Sequence, residues 1–238
     1  MEQYNLKLSE RLIAVAEFLP KRAKFADIGS DHAYLPCFVC LHDEQALAIA
    51  GEVNRGPFES AQKNVSKQGL EERIVVRLGN GLEVINEDDH IEQIVIAGMG
   101  GGLITNILDK GVEKLSTVNR LILQPNVDAR QIRVWLNEHQ FDLTAERILE
   151  ENGHIYEILV ADRNGVHPYK SEMIEKQLLL GPYLMEEKSS IFLKKWREEA
   201  SKLKLVIEQM KQAAQPDEQK IKKFTQELSW IEEELNHG

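Results

Sequence analysis

Cysteine and long apolar runs are scarce in this 238-residue chain, and positive charge is outnumbered, 29 basic to 39 acidic residues; each feature removes a class of protein. Two cysteines cannot build the disulfide framework of a small secreted domain. They form a C-x-x-C, Cys37 and Cys40, just after Pro36 in the apolar stretch AYLPCFVCLH, part of the segment HAYLPCFVCLHD that reads as a helix beginning at His32. Three residues apart on a helix they share one buried face, which is the setting of structural thiols and not of a redox pair. His32 and His42 stand nearby, but the spacing matches no zinc template, so no metal is expected. No apolar run approaches the roughly 20 residues of a membrane span. The opening MEQYNLKLSERL lacks the basic segment and apolar core of a secretory signal. A cytoplasmic location without membrane attachment is the expectation. The net charge is −10, with 17 basic and 26 acidic residues in 1–169 against 12 and 13 in 170–238. That balance argues against strong non-specific nucleic-acid binding, while leaving room for a local basic stripe in the second segment.

What is present is an alternation. LSERLIAVAEFL has Leu8, Leu12, Val15 and Leu19 at helical spacing. KFADIG, ALAIAGEV, IVVRLG, IEQIVIAGMGG and RLILQPN read as five buried strands, separated by helical stretches. The helix after the second strand carries Pro57 in its first turn and Gly69 as its stop. The segment 128–139 is helical, and 143–163 reads as two strands joined through Glu150–Gly153. These features predict an α/β fold, an open and mostly parallel Rossmann-like sheet closed by an antiparallel hairpin. The layout resembles that of class I methyltransferases. Beyond residue 168 the pattern changes. Ser189–Met210 is amphipathic through Phe192, Trp196, Leu203, Val206 and Met210. After AAQPDEQ, the residues Ile221, Phe224, Leu228, Ile231 and Leu235 form a 3-4 seam. Residues 1–168 are therefore expected to form the sheet domain and 169–238 a helical hairpin, or short coiled coil.

The candidate site lies where the strands end. Gly29, after the first strand, permits a tight turn and a close backbone approach to a ligand. Asp27 is placed either to accept hydrogen bonds from the ammonium of a methionine moiety or simply to cap the next helix. Glu52, 25 residues on and ending the second strand, reads as an acceptor for ribose hydroxyls or as a solvated strand-end charge. Asn80-Gly81 after the third strand reads as an adenine-edge contact or a plain turn. The fourth strand ends in Ala97-Gly98-Met99-Gly100-Gly101. This run is not a dinucleotide fingerprint, because Leu103 stands at the third glycine position and the run follows the fourth strand. Asp31, His32 and Val53 complete the candidate cofactor-binding set.

The segments LSERL, ADIGSDHAYLP, GEVNRGPFESAQKN, GNGL, VIAGMGGGLI, LILQPN and GHIYEI, spread over about residues 8–160, resemble the bacterial tRNA adenine-N1 methyltransferases acting on adenine 22, the TrmK family. The resemblance implies S-adenosylmethionine as cofactor, tRNA as substrate and N1 of adenine 22 as acceptor. Asp31 and Tyr34 stand where other methyltransferases place glycines. Ala-Gly-Met-Gly-Gly replaces the Asn/Asp-Pro-Pro-Tyr of amino-group methylases, which favours a ring nitrogen as nucleophile. Asn80 stands where an acidic residue is expected.

Within that reading, Gly98, Met99, Gly100 and Asn126 are expected to shape the target-base pocket. Asn126 also reads as a strand-end turn residue, and Tyr34 as either a stacking or a core aromatic. Lys188, Lys195 and Lys202, seven residues apart, suggest a stripe along one helix face for tRNA phosphates, or else a solvated flank. Arg11 is a further candidate RNA contact. Two alternatives stay open: a methyltransferase of the same fold acting on another RNA or a small molecule, and a non-catalytic binding or dimerisation protein. A monomer is expected, because the two helical seams can satisfy each other.

Overall fold

The computed structural model describes residues 8–236. Seven strands form one sheet: β1 (Lys24–Ile28), β2 (Leu47–Glu52), β3 (Ile74–Leu78), β4 (Gln93–Gly100), β5 (Arg120–Val127), β6 (Phe141–Glu151) and β7 (His154–Arg163). Their spatial order is β3-β2-β1-β4-β5-β7-β6. The first five are parallel, and β7 runs antiparallel between β5 and β6. This is the Rossmann-like arrangement expected from the alternation. β1 and β2 are buried at every position after the first, because helices cover both faces. β3, at the edge, is buried only at Ile74.

The helices around the sheet are α1 (Glu10–Ala16), α2 (Tyr34–His42), α3 (Arg55–Lys67), α4 (Gly101–Lys110) and α5 (Ala129–Glu138). One apolar cluster lies on the side of α4 and α5, with Ile94, Ile96, Ile104, Leu108 and Ile132 fully buried. A second lies on the side of α1, α2 and α3 and contains both Cys37 and Cys40, free and buried. Two local readings need correction. The helix after β1 begins at Tyr34 and not at His32, since Asp31, His32 and Ala33 have φ of 46°, 71° and 59°. The β6–β7 turn is only Asn152-Gly153, both with positive φ, the twist that a two-residue hairpin requires.

The C-terminal segment contains α6 (Ile174–Leu180), α7 (Pro182–Glu187), α8 (Ser190–Lys211) and α9 (Glu218–Asn236). α8 and α9 pack as a helical hairpin. The buried face of α8 is Phe192, Trp196, Ala200 and Ile207. Val206, assigned to that face from sequence, is 38 % exposed. Its neighbour Ile207 continues the 4-residue steps from Trp196 and Ala200 more closely. The hairpin base is continuous with the sheet domain through Ile148, Leu180, Leu184, Phe192 and Ile231. Tyr169 and Leu178 belong to the cluster under α4 and α5, so that core runs past residue 168.

Buried charge fastens the same junction. Arg133 of α5 is fully buried and donates to Glu146 of β6 at 2.5 and 2.7 Å and to Glu157 of β7 at 2.5 Å. Lys195 of α8 reaches down to the other oxygen of Glu157. Glu146 also accepts the Tyr183 backbone N–H at 3.0 Å. Burial disfavours ionising Glu157, but Lys195 and Arg133 outweigh it and hold its carboxyl at about 2.

Candidate functional site

The carboxyl ends of β1, β2, β3 and β4 converge on one edge, as ligand-binding ends do in open α/β sheets. The chain leaves β1 through Gly29, with φ of 69° and its N–H on Gly51 O at 2.9 Å. The positive φ is what calls for glycine here; a Cβ at residue 29 would also displace the flexible end of the Met99 side chain. The next residues climb in left-handed conformation, which costs energy for non-glycine residues. Glu52 and Asn64 hold them there: Glu52 Oε1 accepts the His32 N–H at 3.1 Å, and Asn64 Nδ2 donates to His32 O at 3.0 Å.

Asp27 and Glu52 are both buried, at 4 % and 5 % exposure. Ser30 Oγ donates to Asp27 at 2.5 Å. Among the described residues no lysine or arginine is paired with either carboxylate. Burial pushes the Asp27 carboxyl up to about 7; the Ser30 hydrogen bond opposes this, and nearby Glu52 and Asp31 add to it. Burial raises Glu52 too. A cavity of about 180 Å³ adjoins this turn, lined by Gly29, Val53, Asn80, Gly81, Met99 and Leu103 among others. The Asn80 N–H donates to Glu83 Oε2 at 3.3 Å, which opens a short 3-10 turn. The candidate cofactor residues Asp27, Gly29, Glu52, Val53, Asn80 and Gly81 thus gather on this edge, and His32 enters through its backbone. The Asp31 side chain points to solvent, 85 % exposed. Tyr34 is 41 % exposed and therefore not a core aromatic.

Across the cleft, β4 departs from regular pairing. Ala97 pairs with Gln124 and Met99 with Pro125, so Gly98 bulges with φ of 77°. Its N–H donates to Gln124 Oε1 at 3.0 Å, and its carbonyl accepts Asn126 Nδ2 at 2.7 Å. Asn126 is thus committed through its nitrogen to the bulge, and its Oδ1 remains an acceptor. Arg11 of α1 reaches this loop as well, donating to Gln124 Oε1 and lying 5.3 Å from the Tyr156 ring centroid.

The lysine stripe is not a single face. Lys188 ends α7 in left-handed conformation, with φ of 48°, and so lies off α8. It pairs with Glu234 at 3.1 Å. Lys195 is spent on buried Glu157, and Lys202 pairs with Glu199 one turn away. A groove of about 1060 Å³ runs between α5, the β6–β7 turn and the helical hairpin; Lys202 and Lys223 line it alongside Glu199 and Glu227. Among the described residues there is no His/Cys/Asp/Glu group that could hold a metal, and no helix long and apolar enough to cross a membrane.

Sequence reasoning missed Ser30, Asn64, Gln124 and Tyr156. Only Gln124 left a signal, a lone amide in the apolar run LILQP.

A family model described as TrmK, tRNA (adenine(22)-N(1))-methyltransferase, matches residues 25–233. The tRNA (adenine(22)-N(1))-methyltransferase of Bacillus subtilis (strain 168) is 47% identical over 98% of this chain and 99% of its own. The crystal structure of the B. subtilis m1A22 tRNA methyltransferase TrmK superposes with a TM-score of 0.90 at 45% identity, covering 97% of this chain and 99% of that one. A Streptococcus pneumoniae putative tRNA (m1A22) methyltransferase, solved in complex with S-adenosyl-L-methionine, superposes with a TM-score of 0.84 at 42% identity, covering 96% of this chain and all of that one.

Proposed function

Because this chain belongs to the tRNA (adenine(22)-N(1))-methyltransferase family, we propose that the cleft at the ends of β1–β4 holds its cofactor and that the Gly98 bulge receives the target base. The protein is an S-adenosylmethionine-dependent enzyme that methylates N1 of adenine 22 in tRNA. One observation carries the site assignment: two buried carboxylates, Asp27 and Glu52, stand at a glycine turn without a lysine or arginine partner among the described residues. An ammonium group supplies what Asp27 lacks, and Glu52 has an oxygen beyond the one held by His32 for a ribose hydroxyl. The adjoining cavity, with Val53 and Leu103 beside the Asn80 amide, suits an adenine ring.

S-adenosylmethionine supplies a methyl group activated by a sulfonium. Adenine N1 has an in-plane lone pair, so attack needs no prior loss of a proton and no general base. The work of this chain is therefore positioning. Gly98, Met99 and Gly100 form one wall of the acceptor site, and Asn126 offers Oδ1 to a donor on the base. The backbone carbonyls of the bulge stabilise positive charge as it develops on the ring. N1 lies on the Watson–Crick edge, so the base must leave its stack to react. The tRNA lies along the groove beside the helical hairpin, where Lys202 and Lys223 reach phosphates. The Lys202–Glu199 pair is an exposed one of the kind worth only about 0–1 kcal/mol, so it yields easily to a phosphate. Lys188 and Lys195 serve instead to fasten the hairpin. The enzyme acts as a cytoplasmic monomer and requires no metal.

The test is methyl transfer to unmodified tRNA transcripts, with the product nucleoside identified by mass spectrometry. N1-methyladenosine that disappears when adenine 22 is replaced is the expected result. Transfer to another position or atom overturns the reading.

A further inference from the structure

Gln124 is fully buried, in the last part of β5, at the point where the sheet ladder fails. The failure has a cause in sequence: the next residue, Pro125, has no N–H to give to the ladder. β4 answers with the bulge, which leaves both backbone groups of Gly98 without sheet partners. Gln124 and Asn126 are two residues apart on a strand, so both side chains lie on one face of the sheet. They take the two orphaned groups, Gln124 the N–H and Asn126 the carbonyl. Gln124 Nε2 donates to Pro125 O at 2.8 Å, which turns its oxygen toward Gly98. The same oxygen accepts from Arg11, and the Tyr156 ring flanks that guanidinium. α1 is in turn tied to β6 by the Glu10 N–H on Glu151 Oε1 at 2.6 Å.

We propose that Gln124 is a positioning residue for methyl transfer, setting the Gly98 peptide that walls the acceptor site, with Arg11 as its outer anchor. The inference rests on the assignment of the Gly98 bulge to the target base. Without an acceptor at position 124, the exposed Gly98 loses the side-chain partner of its N–H, and its left-handed φ is no longer enforced. The peptide then rotates and the wall moves. A shift of about 1 Å in a reacting geometry is enough to cost roughly a hundredfold in rate. Arg11 thereby acquires a role inside the protein, distinct from direct contact with RNA.

The test compares Gln124→Met and Gln124→Glu in the full chain, measuring kcat and KM on tRNA transcript and the Kd of S-adenosylmethionine. Methionine fills the volume without a comparable acceptor. Glutamate keeps an oxygen for Gly98 and Arg11, loses the donor to Pro125 O, and adds a negative charge that the Arg11 guanidinium offsets. The expected result is a kcat lower by about a hundredfold in Gln124→Met. It returns to within about tenfold of the parent in Gln124→Glu, with cofactor Kd unchanged in both. Parent turnover in Gln124→Met overturns the proposal. So does an equal loss in both variants, or a loss carried by cofactor affinity. Should Gln124→Met not fold, Arg11→Gln decides, because that site is partly exposed. A kcat lower by about tenfold at an unchanged melting temperature supports the proposal, and parent kcat overturns it. Failure of the functional reading looks different: the parent protein itself then leaves adenine 22 unmethylated.

Discussion

Two regions of this molecule bury carboxylates, and they do so under opposite terms. At the junction of the sheet and the hairpin, Glu146 and Glu157 meet Arg133 and Lys195. At the cleft, Asp27 and Glu52 meet each other, a hydroxyl and backbone amides. The first set is complete, and its charges hold three parts of the chain in one arrangement. The second contains no lysine or arginine among the described residues. A buried charge with its partner present is scaffold; a buried charge whose partner is missing is where we propose that a ligand of the opposite sign binds.

The sharpest way to break this contrast is to make the junction resemble the cleft. Arg133→Met leaves Glu146 unpaired and Glu157 dependent on Lys195 alone. Loss of one partner from a buried pair costs roughly 3–5 kcal/mol, and urea denaturation should register a loss of that order. A change below about 1 kcal/mol would mean that the network does not hold the junction.

The two regions should also respond to pH in opposite directions. The Glu157 carboxyl is held at about 2, below its ordinary 4.5, so its contribution is full above about 4.5 and is lost as the pH falls toward 2. The Asp27 carboxyl is raised from 3.8 to about 7, so its contribution is full below about 3.8 and is lost as the pH rises through 7. Melting temperatures of Glu157→Gln and Asp27→Asn, each subtracted from the parent across pH 3–8, should slope in opposite senses.

Asp27→Asn should lower cofactor affinity by about a hundredfold, the scale of losing charge-assisted hydrogen bonds. The same change should raise the melting temperature of the ligand-free protein by about 2–4 °C, as ~1 kcal/mol does in a chain of this size. Cofactor affinity that survives the change would remove Asp27 from the site. In the parent, calorimetry at pH 6 in buffers of different ionisation enthalpy should record proton release on cofactor binding, because a cationic ligand ionises Asp27. The smallest effect belongs to the groove. Lys202→Glu should weaken tRNA binding a few-fold, and less so at high salt, while leaving cofactor affinity alone.

The parts legible in sequence were those that depend on near neighbours in the chain. Period and punctuation identified the five parallel strands, the closing hairpin and the helical arm. Asp27, Gly29, Glu52 and the Gly98 run could be placed together from sequence because each ends a strand, and the strand ends of an alternating α/β chain share one edge. Lys188, Lys195 and Lys202 misled for the same local reason. A seven-residue repeat describes a helix face only if one helix contains all three, and the left-handed backbone at Lys188 ends the preceding helix first.

By itself, then, the sequence determined the order of elements and which strand ends carry polar residues, because hydrogen-bonded periodicity and glycine turns are local. Tertiary structure alone decided how buried charges are partnered. Lys195 meets Glu157 across 38 residues, and Arg11 meets Gln124 across 113. Such pairings are set by how helices lie on the sheet, and packing specifies that only once the whole core has formed.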